Sequence, residues 1–86
     1  MKVSFHRNFK KSYKKAPKRI REQFKDRLRV FLEYPFHPLL NNHALQGKYS
    51  GLRSINVTGD FRAWYEVLSD SEVQFVIIGT HSELYS

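Results

Sequence analysis

Four side chains that suit acid–base and phosphate chemistry lie in this 86-residue sequence. Asp60 and Arg62 are two residues apart, His43 precedes them, and His81 follows near the C-terminus. An imidazole exchanges protons near neutral pH, and a guanidinium can bind two phosphate oxygens at once. Together these residue types suit the cleavage of a phosphate ester.

A set of this kind can cleave RNA without a metal, because the ribose 2′-hydroxyl itself attacks the adjacent phosphorus. The reaction needs a base, an acid and a cationic donor for the phosphorane charge. We expect His81 to be the acid, Asp60 or His43 the base, and Arg62 the cationic donor. Each of these residues also has an ordinary structural alternative. Asp60 would be a turn residue and His43 a loop histidine bonded to the backbone. His81 would be a surface histidine, and Arg62 would pair with Glu66.

Other kinds of site have little support in the sequence. There are no cysteines, and the four histidines lack the spacing of metal ligands, so no metal or cofactor is expected. The longest apolar run, residues 75–78, is too short to span a membrane, and the N-terminus lacks a signal-peptide segment. We therefore expect a cytoplasmic protein without a membrane partner.

The charge is unevenly distributed along the chain. The net charge is +7, and residues 1–34 contain 12 of the 15 Lys and Arg but only three of the eight acids. The positive electrostatic potential of such a basic segment attracts phosphate backbones or an acidic protein. The alternative is a basic helix face that only contacts solvent.

The N-terminal half predicts a strand and a helical hairpin. Lys2–His6 alternates in polarity like a strand, and Asn8 is a suitable N-cap for a first helix. Pro17 then separates this helix from a second one, which should end near Tyr34 because Pro35 follows. Apolar residues recur at helical spacing in the second helix, beside a basic flank. The apolar stripe comprises Ile20, Phe24, Leu28 and Phe31, and the flank includes Lys18, Arg21 and Lys25.

The C-terminal half predicts three strands after a loop over residues 35–51. The strands are Leu52–Val57, Phe61–Leu68 and Val73–Thr80, separated by short turns. The fold class is therefore α+β, with the order β-α-α-β-β-β in one domain over residues 1–86. A helical hairpin would cover one face of an antiparallel sheet. The uncovered face would display Asn56, Arg62 and Trp64, with Asp60 in the neighbouring turn and His81 beside a flexible tail.

Three stretches of this sequence resemble a known family. The basic helical hairpin, residues 59–65 and residues 79–85 are similar to the RelE/ParE toxin superfamily, in its YafQ-like branch. The resemblance covers nearly the whole chain. It implies a toxin of a type II toxin–antitoxin system, an endoribonuclease (mRNA interferase) that cleaves mRNA, typically on the ribosome, and is neutralised by a cognate antitoxin, here expected to be acidic.

The resemblance also implies roles for individual residues. His43 matches the histidine of the His-x-Leu-x-Gly loop motif, and Asp60 matches the acidic residue of the turn. His81 matches the C-terminal histidine, and Arg62 resembles the phosphate-contacting arginine of RelE-like members. YafQ-like members often have histidine in place of Asn56 and tryptophan in place of Phe61. The expected RNA-binding residues are Asn56, Phe61, Trp64 and Tyr85, together with Lys18, Arg21 and Lys25 on the second helix.

Two alternatives remain at this point. A ParE-like protein would inhibit DNA gyrase without being an enzyme, but such members generally lack the set of His43, Asp60 and His81. A catalytically silent RNA- or antitoxin-binding domain would follow if asparagine at position 56 abolished activity. For Trp64, packing is nearly as well supported as stacking on a base.

Overall fold

The computed structural model describes residues 1–86, and its elements follow the predicted order with two additions. The elements are β1 (Lys2–Phe5), α1 (Arg7–Lys15), α2 (Lys18–Glu33), β2 (His43–Ala44), β3 (Leu52–Asn56), β4 (Phe61–Ser69), β5 (Glu72–Thr80) and α3 (His81–Leu84). Strand β2 and helix α3 are the additions. Two 3₁₀ turns, Pro38–Leu40 and Gly47–Tyr49, flank β2 within the predicted loop.

The five strands form one sheet in the order β1-β5-β4-β3-β2. The pairs β2–β3, β3–β4 and β4–β5 are antiparallel, whereas β1 runs parallel to β5 with Val3 opposite Val73. Parallel neighbours cannot be joined by a tight turn, and the two helices after β1 form part of the long connection that the β1–β5 pair needs. The predicted α+β fold class is confirmed.

The helices begin and end for local reasons. The side chain of His6, and not Asn8 as predicted, caps α1: its Nδ1 accepts a hydrogen bond from the backbone N–H of Asn8 at 3.0 Å. Pro17 directly precedes α2, and the helix ends at Glu33, before Pro35. The hydroxyl of Ser12 accepts a hydrogen bond from the backbone N–H of Ile78 at 3.1 Å, which fastens α1 to β5.

The main core lies between the two long helices and one face of the sheet. Of the predicted stripe, Ile20, Phe24 and Phe31 are buried, and Leu28 packs beside them. The ring of Phe24 meets that of Phe75 edge-on with centroids 5.3 Å apart. Edge-on contacts of this kind stabilise aromatic pairs beyond the area that they bury.

The opposite face of the sheet, here called the second face, is not open as predicted. Leu45, Trp64 and Leu84 form a smaller buried group there, here called the second cluster. The segment around β2 supplies Leu45, and α3 supplies Leu84. A Cβ at position 79 would lie 3.1 Å from Cδ2 of Leu84, so glycine at this position permits the close packing of α3.

Candidate functional site

The turn between β3 and β4 is tied to the start of α3. The backbone N–H of His81 donates a hydrogen bond to the carbonyl of Asp60 at 3.0 Å. Within the turn, the Thr58 hydroxyl accepts hydrogen bonds from the backbone N–H groups of Asp60 and Phe61, at 3.4 and 3.1 Å. The backbones of Asp60 and His81 are therefore direct neighbours, although they are far apart in the sequence, and both side chains are exposed.

Arg62 braces the same turn from the strand. Its Nη1 lies 3.0 Å from the carbonyl oxygen of Thr58, 3.1 Å from that of Gly59 and 3.2 Å from that of Phe61, and it donates to these acceptors. The alternative of a pair with Glu66 is wrong, because the one salt bridge in the structure joins Asp26 and Arg29. A guanidinium has five N–H donors, so Nε and Nη2 of Arg62 are left for an anion.

His81 is held more firmly than a residue beside a flexible tail would be. It is the first residue of α3, whose N-terminus is a capping box formed by Thr80 and Glu83. The Glu83 carboxylate accepts a hydrogen bond from the backbone N–H of Thr80 at 2.8 Å, and the Thr80 hydroxyl accepts one from the N–H of Glu83. The hydrogen bonds from the backbone and side chain of Thr80 lower the pKa of Glu83, which keeps this cap ionised.

Trp64 is a packing residue in this structure. Its side chain is only 3% exposed and belongs to the second cluster. The rings of Tyr49 and Tyr85 cover it, with centroids 4.8 and 5.1 Å from the indole. The expected display of Trp64 on an open face is therefore wrong, because the segment after β2 and the C-terminal helix both fold over it.

Tyr85 is exposed and lies beside His81. Its ring is 42% exposed, and its centroid is 4.7 Å from that of the His81 imidazole. Tyr49 is a residue that the sequence patterns did not identify, and its ring lies 5.4 Å from that of Tyr85. The only signal for it was its place shortly after His43, within a glycine-containing loop.

His43 lies on the same face as Trp64 but two strands away. In the sheet register His43 pairs with Ser54, which pairs with Trp64, and paired residues project from the same face. Neighbouring strands are about 4.8 Å apart, so the His43 and Trp64 backbones are separated by about 10 Å. The His43 Nδ1 lies 2.8 Å from the carbonyl of Asn41. Since a carbonyl only accepts, Nδ1 carries the proton and Nε2 of the neutral ring keeps its lone pair.

Asn56 pairs with Arg62 across β3 and β4, so the two side chains leave the sheet on one face. Its Oδ1 is buried without a hydrogen-bond partner. A primary amide cannot exchange protons at neutral pH, so Asn56 can only orient or contact a ligand.

Phe61 lies on the wrong face for the expected contact with RNA. Successive residues of a strand alternate between faces, and the ring of Phe61 packs against the main core beneath the helices. This position does not favour the expected stacking of Phe61 on a base.

The expected basic residues of α2 lie on the helical side of the sheet, away from the second face. Lys18 and Lys25 are exposed. Arg21 braces the corner between the helices, since its guanidinium donates to the carbonyl of Ala16 and its own carbonyl accepts from the Tyr13 hydroxyl. Ala16 and Pro17 at this corner line one cavity with Gly79 and Glu83, so the start of α2 lies near α3.

The remaining histidines are capping residues. Like His6, His37 accepts a hydrogen bond through Nδ1, from the backbone N–H of Leu39 at 3.0 Å. Histidine, aspartate and glutamate side chains form no group of three or more that could hold a metal ion. No helix has the length and apolar character needed to cross a membrane.

This chain matches one known protein family and is similar to several solved structures. The family described as "Bacterial toxin of type II toxin-antitoxin system, YafQ" matches residues 1–86. No curated protein matches the sequence. Among solved structures, YafQ from E. coli shares 24% identity with a TM-score of 0.83, over 98% of this chain and 97% of its own.

Two further structures are similar. The E. coli DinJ–YafQ toxin–antitoxin complex contains a chain with 27% identity and a TM-score of 0.79, over 98% of this chain and 96% of that one. The YoeB/ParE toxin from Agrobacterium tumefaciens shares 22% identity with a TM-score of 0.77, over 94% of this chain and 99% of its own.

Proposed function

This chain belongs to the YafQ family of toxins from type II toxin–antitoxin systems, and from that membership we propose that it is an endoribonuclease that cleaves mRNA on the ribosome. One observation carries the proposal for this particular chain. The hydrogen bond from the His81 backbone N–H to the Asp60 carbonyl joins α3 to the turn that Arg62 braces. Asp60, Arg62 and His81 therefore share one small region of the surface.

In the proposed reaction, the ribose 2′-hydroxyl attacks the adjacent phosphorus and the bond to the 5′-oxygen breaks. The His81 imidazolium gives its proton to the departing oxygen. The free N–H donors of Arg62 bind the phosphorane oxygens, where preorganised donors are worth most. Asn56, beside Arg62 in the register, contacts the same nucleotide.

Two residues compete for the role of base. The hydrogen bond between Nδ1 of His43 and the Asn41 carbonyl favours His43, because it directs the lone pair to Nε2. The position of Asp60 next to His81 favours the carboxylate instead. We propose His43 as the base and Asp60 as the group that orients the His81 imidazolium, since base and acid act on opposite sides of the scissile phosphate.

The charge supports the proposed partners. A net charge of +7 suits contact with RNA phosphates, with Lys18 and Lys25 on the helical side, and also suits a cognate acidic antitoxin. The structure of E. coli YafQ with DinJ supports an antitoxin partner for this relative of YafQ. mRNA as substrate implies action in the cytoplasm.

The test is an assay of mRNA cleavage with translating ribosomes, mapped by primer extension. We expect His81→Ala to reduce the cleavage rate by about 100- to 10,000-fold, the usual contribution of a general acid, with an unchanged melting temperature. His37→Asn is the matched control: asparagine also accepts the capping hydrogen bond, so the rate should stay at the wild-type level. Equal rates for wild type and His81→Ala would refute the assignment.

Two further arms test the class of activity. Cleavage should persist in EDTA with magnesium restored for the ribosome, whereas its loss would contradict a metal-free mechanism. A ParE-like protein would instead inhibit supercoiling by DNA gyrase and leave mRNA intact. We expect no effect on supercoiling.

A further inference from the structure

Three aromatic side chains from distant segments meet beside the proposed catalytic residues. Tyr49 comes from a 3₁₀ turn, Trp64 from β4, and Tyr85 from the residue that follows α3. Their ring centroids are 4.8 to 5.4 Å apart, and the ring planes cross at 60° to 87°. We call Tyr49, Trp64 and Tyr85 the aromatic trio.

The trio consists of a buried support and two accessible rings. Trp64 is buried with Leu45 and Leu84 in the second cluster, while Tyr49 is half-buried and Tyr85 is exposed. Packing against the indole holds both tyrosine rings in place before any ligand arrives. A ring that is held in this way loses little conformational freedom when a planar group stacks on its open side.

Basic side chains lie at both ends of this surface. The Lys48 Nζ is 5.2 Å from the centre of the Tyr49 ring, and the imidazole of His81 is 4.7 Å from Tyr85 at the other end. Aromatic rings interleaved with cationic groups are the composition that binds single-stranded nucleic acid: the rings take bases and the cations take phosphates.

We propose that Tyr49, together with the expected RNA-binding residue Tyr85, binds an unpaired nucleobase next to the scissile linkage, and that Lys48 contacts the phosphate of the same nucleotide. The identity of the ligand as RNA rests on the proposed function. The base must be unpaired, because only single-stranded segments present their faces to aromatic side chains. Tyr49 and Lys48 are thus binding residues from a loop for which the sequence indicated no role beyond His43.

The test measures binding separately from cleavage. The probe is a fluorescein-labelled six-nucleotide RNA with 2′-O-methyl riboses, which cannot be cleaved because its attacking hydroxyl is blocked. Anisotropy gives the Kd. Trp64 is the single tryptophan of the chain, so its emission reports whether the probe reaches the trio. An abasic version of the probe, with the same phosphates, is the matched ligand control.

Tyr49→Leu removes the ring and keeps an apolar cover over Trp64, whereas Tyr49→Phe keeps the ring. We expect Tyr49→Leu to weaken binding of the base-containing probe by about 5- to 150-fold, the measured range for one stacked base, and to leave the abasic probe unaffected. Tyr49→Phe should bind like the wild type. Lys48→Gln should weaken both probes and make the salt dependence of log K shallower by about 0.7.

The results separate this subsite from the proposed function. If Tyr49→Leu binds the base-containing probe as tightly as wild type, or weakens both probes equally, the subsite is refuted even if mRNA is cleaved. If binding depends on Tyr49 and on the base but the wild type cleaves no mRNA, the subsite stands and the proposed activity fails. A far-UV circular dichroism melt of each variant shows that the comparison is made between folded proteins.

Discussion

Arg62 connects the stability of the fold to the proposed chemistry, and Arg62→Met tests both. Methionine keeps most of the aliphatic length and removes the guanidinium. The turn carbonyls of Thr58 and Gly59 then lose their donor, and the connection between this turn and His81 loosens. We expect a lower melting temperature and, at temperatures where the protein remains folded, slower cleavage.

The size of the effect follows from the contacts. Nη1 carries two hydrogens, so at most two of its three carbonyl contacts can be well aligned at once. A hydrogen bond from a charged donor contributes about 1.5–3 kcal/mol, but water replaces part of it at a half-exposed site such as this one. We therefore expect a loss of about 1–2 kcal/mol, which lowers the melting temperature of a domain of this size by about 5–10 °C.

Calorimetry of matched variants measures this effect. Arg29→Met is the control, because it also removes one arginine charge but breaks only an exposed helical pair with Asp26. Its melting temperature should stay close to that of the wild type. If Arg62→Met and Arg29→Met shift it equally, Arg62 does not brace the turn. If Arg62→Met slows cleavage by less than about 100-fold, the guanidinium contributes less than a typical transition-state donor.

Three further predictions concern the second face. Trp64→Ala should lower the free energy of unfolding by about 3–5 kcal/mol, measured by urea denaturation followed by circular dichroism. A loss below about 1 kcal/mol would mean that the indole is not packed. Because the pKa of Glu83 is lowered in the folded protein, its carboxylate stabilises α3 fully at pH values above the usual glutamate pKa. This stabilisation is lost as the pH falls through the lower folded-state pKa. On acidification, Trp64 emission should therefore shift to the red before far-UV circular dichroism reports global unfolding, and Glu83→Gln should lack this separate step. Gly79→Ala places a methyl group against Leu84, pushes α3 away from the sheet and should slow cleavage of mRNA by translating ribosomes. A rate equal to that of the wild type would mean that α3 accommodates the methyl group.

Periodic sequence signals were sufficient for most of the fold. The helical spacing of Ile20, Phe24 and Phe31 identified the buried face of α2, and Pro35 marked its end. Alternation along β4 separated the faces of Ala63 and Trp64. Signals of this kind are local, so they can be evaluated before any long-range contact is known.

The features that the sequence did not predict depend on partners far away in the chain. Strand β2 has two residues, and only its pairing with β3 makes it a strand. Alternation along β4 puts Trp64 on the second face, but nothing near Trp64 in the sequence indicates that Tyr49 and Tyr85 cover it there. Phe61 is the opposite case. Alternation along β4 puts it on the covered face with Ala63, but the resemblance to relatives with tryptophan there suggested a base contact, which the structure does not favour.

The second cluster explains why stability and the proposed activity should be coupled on one face and not on the other. Changes in the main core beneath the helices should disturb the proposed proton-transfer residues less, because the core side chains project away from the second face. Leu45 lies close to His43 in the chain, and Leu84 lies between His81 and Tyr85, so the cluster anchors both segments that carry proposed proton-transfer groups. A cluster of 3 buried residues holds its segments less firmly than the core of 13 does, and local opening there is cheaper than global unfolding. Destabilising the second cluster should therefore reduce cleavage at temperatures well below the melting temperature.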